Sequence, residues 1–600
     1  MYDFAGWFGS HPSNHSPNNI LDTILDTSAE RRSGSKFALG TACGHVGESG
    51  DISCLIAGDP RWKGYELKAM AAREGEGAVF ARLYGEEGKR ALARLTGSFA
   101  VAVYDRRKNE GLLAIDRMGI CPLAYAEIPG GVVFSGDLQI LRRHPSLSAE
   151  IDPQALFAYL YFHMIPAPLS VYRGMRKLLP AQYVLWRTSG CESGFYWHPG
   201  FDDASEAETK LAQRLQSTLQ KAVGNCIDPT QTTGAFLSGG LDSSTITGLF
   251  RQLSPEQATT FSIGFAAEGY DEMEFARASA RHFGVPLHEY YVTPQDVTAA
   301  VPIISACYDE PFGNASAVPT YFCAKLAKEH GSNTLLAGDG GDELFAGNER
   351  YAKQKMFALY DQIPFWLRSI LIEPLASIGG NLPVLGKLKS YVDQAKIPMP
   401  ERMETYNFLH RTPLRDIFDD GFLASINEDW PIEHLRHIYR RLDTPSMLKR
   451  MLWLDWKITL ADNDLRKVNR MCALGGVKVF YPMLDEAVVD LASRIPDPLL
   501  MRGFELRSFY RHTFRDFLAP ETLKKSKHGF GLPFGLWLKT DRQLQSLAYD
   551  SLNCPHLDGI LRKDYLDRLK SAHLQDHASY YGTMIWVLMM WNQWMEQHHG

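Results

Sequence analysis

The run Ser238-Gly239-Gly240-Leu241-Asp242-Ser243-Ser244 packs two glycines, three hydroxyls and one carboxylate into seven residues. Glycine lets a backbone approach a ligand closely and adopt unusual φ values. Exposed amides, serine hydroxyls and the positive end of a following helix together make an anion cradle. A carboxylate inside an anion site calls for a cation, and magnesium bridging to pyrophosphate oxygens is the obvious choice. The run lacks the Gly-Lys-Ser/Thr end of a P-loop and the Gly-x-Gly-x-x-Gly spacing of a dinucleotide fingerprint. A polar turn that binds nothing is the plain alternative, and the complete run between a strand and a helix argues against it.

A second glycine-rich turn, Leu336-Ala337-Gly338-Asp339-Gly340-Gly341-Asp342-Glu343, follows another short apolar strand. Its three carboxylates repel one another unless some face a metal, a basic partner or solvent. As an isolated motif this is an ordinary surface turn. After a later strand of the same sheet it falls on the same rim as the first loop.

The elements around these loops alternate. Strands are expected at 234–237, 259–264, 287–292 and 334–337, with helices at 243–253, 274–283 and 321–329 between them. That order predicts a parallel sheet with helices on both faces and ligands at the carboxyl ends of the strands. From about residue 350 the chain reads as largely helical. A further helix at 206–223 carries Leu211, Leu215 and Leu219 on one face, and 580–594 reads as a helix docked on the core, with membrane contact as the lesser alternative. The first 200 residues are mostly β, with short apolar strands at 99–104, 111–115, 131–135 and 182–186. A His-Pro-Gly and acidic stretch near 198–208 suits a linker. Two domains are expected, 1–200 and 206–600, both α/β.

Six hundred residues exceed one ordinary core, and 45% apolar with 22% charged residues is a globular composition. A net charge of −6 and the short basic run Lys524–Lys527 argue against nucleic acid as a partner. Nine scattered cysteines without metal or redox spacing suit a reducing cytoplasm. No basic segment followed by an apolar run opens the chain, and the apolar stretch Met584–Met590 is too short to span a bilayer, so neither a signal peptide nor stable membrane insertion is expected. Cys43 and Cys54 read as small buried hydrophobes.

Taken together, the two loops resemble the ATP-pyrophosphatase domain of the asparagine synthetase family. The resemblance spans nearly the whole chain. Asp309-Glu310-Pro311 is similar to that family's acidic-proline turn, Lys467-Val468-Asn469-Arg470-Met471 and Pro482-Met483-Leu484-Asp485 to its synthetase segment, and Lys525-Ser526-Lys527-His528-Gly529-Phe530, with Pro533 and Trp537, to its lysine loop. The resemblance implies an adenine-nucleotide α-hydrolase-like fold, ATP and magnesium as cofactors, and an acyl-adenylate from which an amine displaces AMP. It implies that Asp242 and Asp342 hold the metal, that Ser238, Gly239, Gly240 and Ser243 cradle pyrophosphate beside Gly338, and that Ser262 and Gly264 lie near adenosine. Lys467 and Lys527 become candidates to neutralise phosphate or a developing oxyanion, against the alternative of ordinary surface ammoniums. Asp339 stands where relatives keep a group that handles the incoming amine, and a purely structural turn role stays open. Asn469 stands where relatives often carry Asp.

The N-terminal part resembles the family's N-terminal-nucleophile glutaminase domain, an αββα sandwich, through Leu95-Thr96-Gly97-Ser98-Phe99-Ala100 and Asp116-Arg117-Met118-Gly119. Three departures imply that glutamine is not hydrolysed. Tyr2 stands where the nucleophilic cysteine is required, Ala57 where relatives present Asn before glycine, and Thr96 where they carry an acidic residue. Lys478 and Phe480 replace the family's Glu-x-Arg and suggest an acceptor pocket not shaped for aspartate. Three readings of the substrate follow. The first is macrolactam closure of a lasso precursor peptide, which would imply a leader peptidase or precursor-recognition protein as partner. The second is a small-molecule amide or β-lactam synthetase, and the third an ammonia-dependent asparagine synthetase. A nucleotide-binding pseudoenzyme scaffold is the non-enzymatic alternative.

Overall fold

The computed structural model describes residues 3–9, 21, 25, 30–374, 383–525 and 531–599. Tyr2 and Lys527 lie outside the described residues.

Alternation with period two organises the N-terminal half. In the strand Phe4–Gly9, Phe4 and Phe8 face one core while Ala5 and Trp7 face another. In Ile52–Trp62, Leu55 and Ala57 point one way, and Cys54 and Ile56 the other. Both faces are apolar because both are covered. Two six-stranded antiparallel sheets stack around Phe8, Phe37, Leu55, Leu113 and Val184. The helix Glu76–Glu87 seals the outer face of one sheet with Val79, Phe80 and Leu83. The helix Pro153–Phe162 lies over the other, giving the expected αββα order. Of the two cysteines expected inside, Cys54 is buried and Cys43 is exposed, because Cys43 falls in the tight turn between the strands Phe37–Thr41 and Gly44–Ser49.

The C-terminal half is built on five parallel strands. Their order is Leu287–Val292, Thr260–Phe265, Thr233–Phe236, Thr334–Leu336 and Lys478–Phe480. The first four match the strands expected from the sequence, whereas Lys478–Phe480 is a three-residue edge strand too short to show a period. The chain moves outward from Thr233–Phe236 in one direction and later restarts beside it at Thr334–Leu336. The sheet's topological switch point therefore lies between the two strands that carry the glycine loops.

The long C-terminal helix Ala578–His599 is apolar on all sides and packs within the core, with Ile585, Val587, Leu588 and Met589 fully enclosed. No helix among the described residues is long and apolar enough to cross a membrane.

One apolar core runs across the two halves. Trp7, Ala38 and Val133, on the outer face of the first sheet, share it with Leu237, Phe261 and Trp591. Inside that joint lies a buried ionic cluster. Arg470 reaches Asp137 and Asp309 at 2.9 Å each, and Arg466 reaches Asp309 at 2.6 Å and Glu310 at 2.7 Å. Lys177 pairs with Glu310 and donates to the Ile165 carbonyl at 2.6 Å. The amides of Leu138 and Val171 donate to Asp309 and Glu310 at 3.0 and 3.2 Å. Burial pushes the Asp309 carboxyl up, but Arg470 and Arg466 outweigh it and hold it well below the carboxylate range. Removing one member strands its partners without water. Arg470→Leu is expected to lower unfolding free energy by about 3–5 kcal/mol, read from denaturant midpoints.

Candidate active site

The first loop is held by its own hydroxyls. The Ser238 amide donates to Ser243 Oγ at 3.2 Å, the two serine hydroxyls lie 3.1 Å apart, and the Gly240 amide approaches Ser238 Oγ at 3.4 Å. Gly239 has φ +70°, and a Cβ there would strike the backbone of Phe275 and Ala276. The helix Leu241–Leu253 then starts with Gly240 at its N-cap, so its free amides point toward the loop.

The second loop interlocks with the first. Gly341 opens the short helix Gly341–Leu344 directly against the Asp242 carboxylate, where a Cβ would collide. Asp242 and Asp342 thereby face a common point. There they meet Arg507, which stands just before the helix Ser508–Thr513. Its guanidinium pairs with both Asp242 oxygens, one of them at 2.7 Å, and with Asp342 at 3.1 Å. Arg507 carries no signal of this role in the sequence: it sits 165 residues from Asp342 in a segment without a glycine signature.

A cavity of about 690 Å³ opens over these loops, within the range of small-molecule sites. Ser238, Gly240, Asp242 and Ser243 of the first loop line it, together with Ser262, Gly338, Asp339 and Asp342. Lys467 reaches it from the helix Arg466–Leu474. Two expected residues are not in the lining: Gly239, turned onto Phe275, and Gly264, covered by the ring of Tyr291. Lys525 is an addition. Its ammonium reaches the Ser238 carbonyl and Glu272, both at 2.9 Å, which places the start of the lysine loop beside the anion cradle.

Charge in the cavity is graded. Burial pushes the Asp339 carboxyl up to about 6, against the opposing pull of Lys467. Lys467 pairs with Asp464 at 2.8 Å; burial lowers its ammonium, but Asp464 and Asp339 prevail and hold it above the usual lysine value. Behind them the buried Glu343 carboxyl is raised well above its usual range by desolvation, with Asp342 and Asp464 adding to the shift. A carboxylate poised near neutrality beside a firmly charged lysine is an arrangement for moving a proton next to a developing anion.

Lys478 and Phe480 take no part in this lining, which corrects their expected role in the acceptor pocket. Their strand is the sheet edge that meets the N-terminal domain. Lys478 pairs with Asp59 at 3.1 Å, and Arg61 lies over the Phe480 ring and 3.9 Å from Asp485. Lys63 reaches Glu486 at 2.7 Å, and Arg117 pairs with it too. Asp59 and Arg61 lie just after Ala57-Gly58, so this seam engages the segment that follows that pair. Asn469 also belongs to the joint, bonding Tyr481 at 2.8 Å and the Ile120 carbonyl at 2.9 Å.

Comparison with known proteins follows the same division. The family model described as asparagine synthase matches residues 214–596. That described as a glutamine amidotransferase domain matches 66–197 and so begins downstream of Ala57. The chain is 26% identical over 547 residues to "Asparagine synthetase [glutamine-hydrolyzing] 1" of Bacillus subtilis (strain 168), covering 89% of this chain and 82% of that protein. It is 27% identical over 288 residues to "Asparagine synthetase B [glutamine-hydrolyzing]" of Escherichia coli (strain K12), covering 45% and 46%. With "Amidase chyE" of Penicillium rubens it shares 20% identity over 504 residues, covering 76% and 72%.

If Asp339 must be ionised to accept a proton, kcat/KM falls as pH drops through about 6. Asp339→Asn is expected to remove that acidic limb and to lower the plateau by about 10²–10⁴-fold, measured as a pH–rate profile.

Proposed function

The chain belongs to the asparagine synthase family and is an ATP-dependent, amide-bond-forming ligase; on that footing we propose that it activates a carboxylate as an acyl-adenylate and takes its amine from solution or from the substrate itself. The observation that carries the reading is the single cavity on which both glycine loops, Asp339 and Lys467 converge.

In the first step a substrate carboxylate oxygen attacks the α-phosphorus of ATP and the bond to pyrophosphate breaks. The loop Ser238–Ser243 and the amides opening the helix Leu241–Leu253 receive the departing anion. Asp242 and Asp342 would hold magnesium. Their carboxylates already share one cation, and hard oxygen donors completed by phosphate are what that ion takes. When bound, it neutralises charge on the polyphosphate. Ser262 lies where adenosine would rest. In the second step the amine attacks the acyl carbon, AMP leaves, and Asp339 accepts the amine's proton while Lys467 faces the oxyanion. Lys527 is assigned the same charge-neutralising task as Lys467 on resemblance alone.

Support for an amine other than glutamine nitrogen comes from Ala57 and Thr96, which supply neither an amide nor a carboxylate. The seam Asp59–Lys478 and Arg61–Asp485 adds to it by engaging the neighbouring residues. For the carboxylate, aspartate stands first, because the relatives are named asparagine synthetases; free ammonia as its partner rests on Ala57 and Thr96, since those relatives are named as glutamine-hydrolyzing. Macrolactam closure of a lasso precursor peptide stands second. The observation favouring it is Ala57 and Thr96 beside this same seam, which leave a substrate's own amine as a source; a leader peptidase or recognition protein would then be a partner.

The test is pyrophosphate release with ATP and magnesium against each candidate. Asparagine formed from aspartate and ammonia supports the first reading, and a leaderless core peptide lighter by one water supports the second. Glutamine replacing ammonia as the nitrogen source would overturn the amine assignment. In the productive reaction Lys467→Met is expected to lower kcat by about 10²–10³-fold.

A further inference from the structure

Arg507 occupies an arrangement that resting stability alone does not explain. Its side chain is 7% exposed and its guanidinium lies between the two loop carboxylates. Its Nε is buried with no hydrogen-bond partner among the described residues, so the fork engages the carboxylates while one donor goes unmet. Its backbone has φ +57°, in the left-handed region that non-glycine residues seldom adopt. Unmet donors and strained backbones collect at sites held ready for a ligand. The guanidinium stands where a metal held by the same two carboxylates would sit, so the two exclude each other.

We propose that Arg507 is the resting-state counter-ion of the metal site and exchanges with the metal when nucleotide binds. In the free enzyme its guanidinium holds Asp242 and Asp342 together and keeps divalent cations out. Metal–nucleotide brings both halves of the exchange: the cation takes the two carboxylates, and the polyphosphate takes the released guanidinium, for which a planar five-donor fork is suited. The unmet Nε–H then gains an acceptor. Because neither half is favourable alone, metal and nucleotide enter together, and the cradle is not poisoned by metal in the absence of ATP. This inference rests on the assignment of Asp242 and Asp342 as the metal pair.

The probe is Mn²⁺, followed by loss of its free-ion paramagnetic resonance signal on titration into the full-length protein without nucleotide. Wild type is expected to leave the ion free up to millimolar concentration. Arg507→Met is expected to bind one ion per chain at least 10-fold more tightly, and the same ion should raise its melting temperature while leaving that of wild type unchanged. Arg507→Lys, which keeps the charge but loses the fork, should fall between them and serves if the methionine variant folds poorly. Equal Mn²⁺ affinity in wild type and variants overturns the exchange. The metal assignment is judged separately, by Asp242→Asn in the presence of Mn²⁺ and a non-hydrolysable ATP analogue: unchanged capture of the ion there would sink that assignment, whatever the Arg507 variants do.

Discussion

Everything in this molecule is referred to the pair Asp309-Glu310, two adjacent carboxylates buried in the joint between its halves. They are tolerable there because Arg466 and Arg470 approach from one half of the chain and Lys177 and two backbone amides from the other. Such a cluster adds little net stability over an apolar substitute, but it punishes any other alignment, since misregister leaves a bare buried charge. It therefore sets register more than strength. The same helix that presents Arg466 and Arg470 to the joint presents Lys467 to the cavity one residue later. Fixing the joint fixes the lysine that lines the cavity.

The cavity works by crowding. Asp242, Asp342, Glu343, Asp339 and Asp464 stand within one neighbourhood, and the chain manages the repulsion by distributing cations and protons unequally. Arg507 answers the pair nearest the anion cradle, Lys467 answers Asp464, and Glu343 is driven toward its neutral form by desolvation. What remains, Asp339, is left near the middle of the physiological range.

The sheet, its helices and the two loops were legible because each carries a strong local signal. Period-two and period-3.6 patterns mark the elements, and glycines beside carboxylates mark the turns. The family was legible because those turns recur as a set. What escaped depends on contacts between distant segments. Arg507 looks like any surface arginine until the chain closes, and Arg466 and Arg470 look like an amphipathic helix face. Lys478 and Phe480 were noticed as departures but assigned to the wrong neighbour, because sequence position near the synthetase segment does not reveal that the edge strand faces the other domain. Cys43 was misplaced for a similar reason: residue type favours burial, but a turn between strands overrides it.

The shared core has a consequence for dividing the molecule. The outer surface of the first sheet, with Trp7, Ala38 and Val133, is at once the wall of the ligase half. Cutting the chain near residue 200 would leave that wall as an open apolar scar on one fragment and would part Asp137 and Lys177 from Arg470 and Glu310 on the other. Ala57 is enclosed in the N-terminal domain's own core and Thr96 lies beside Leu484 and Glu486 of the ligase half, so the domain that carries them is part of the same packed body. The N-terminal half is thus part of the mould in which the ligase half sets.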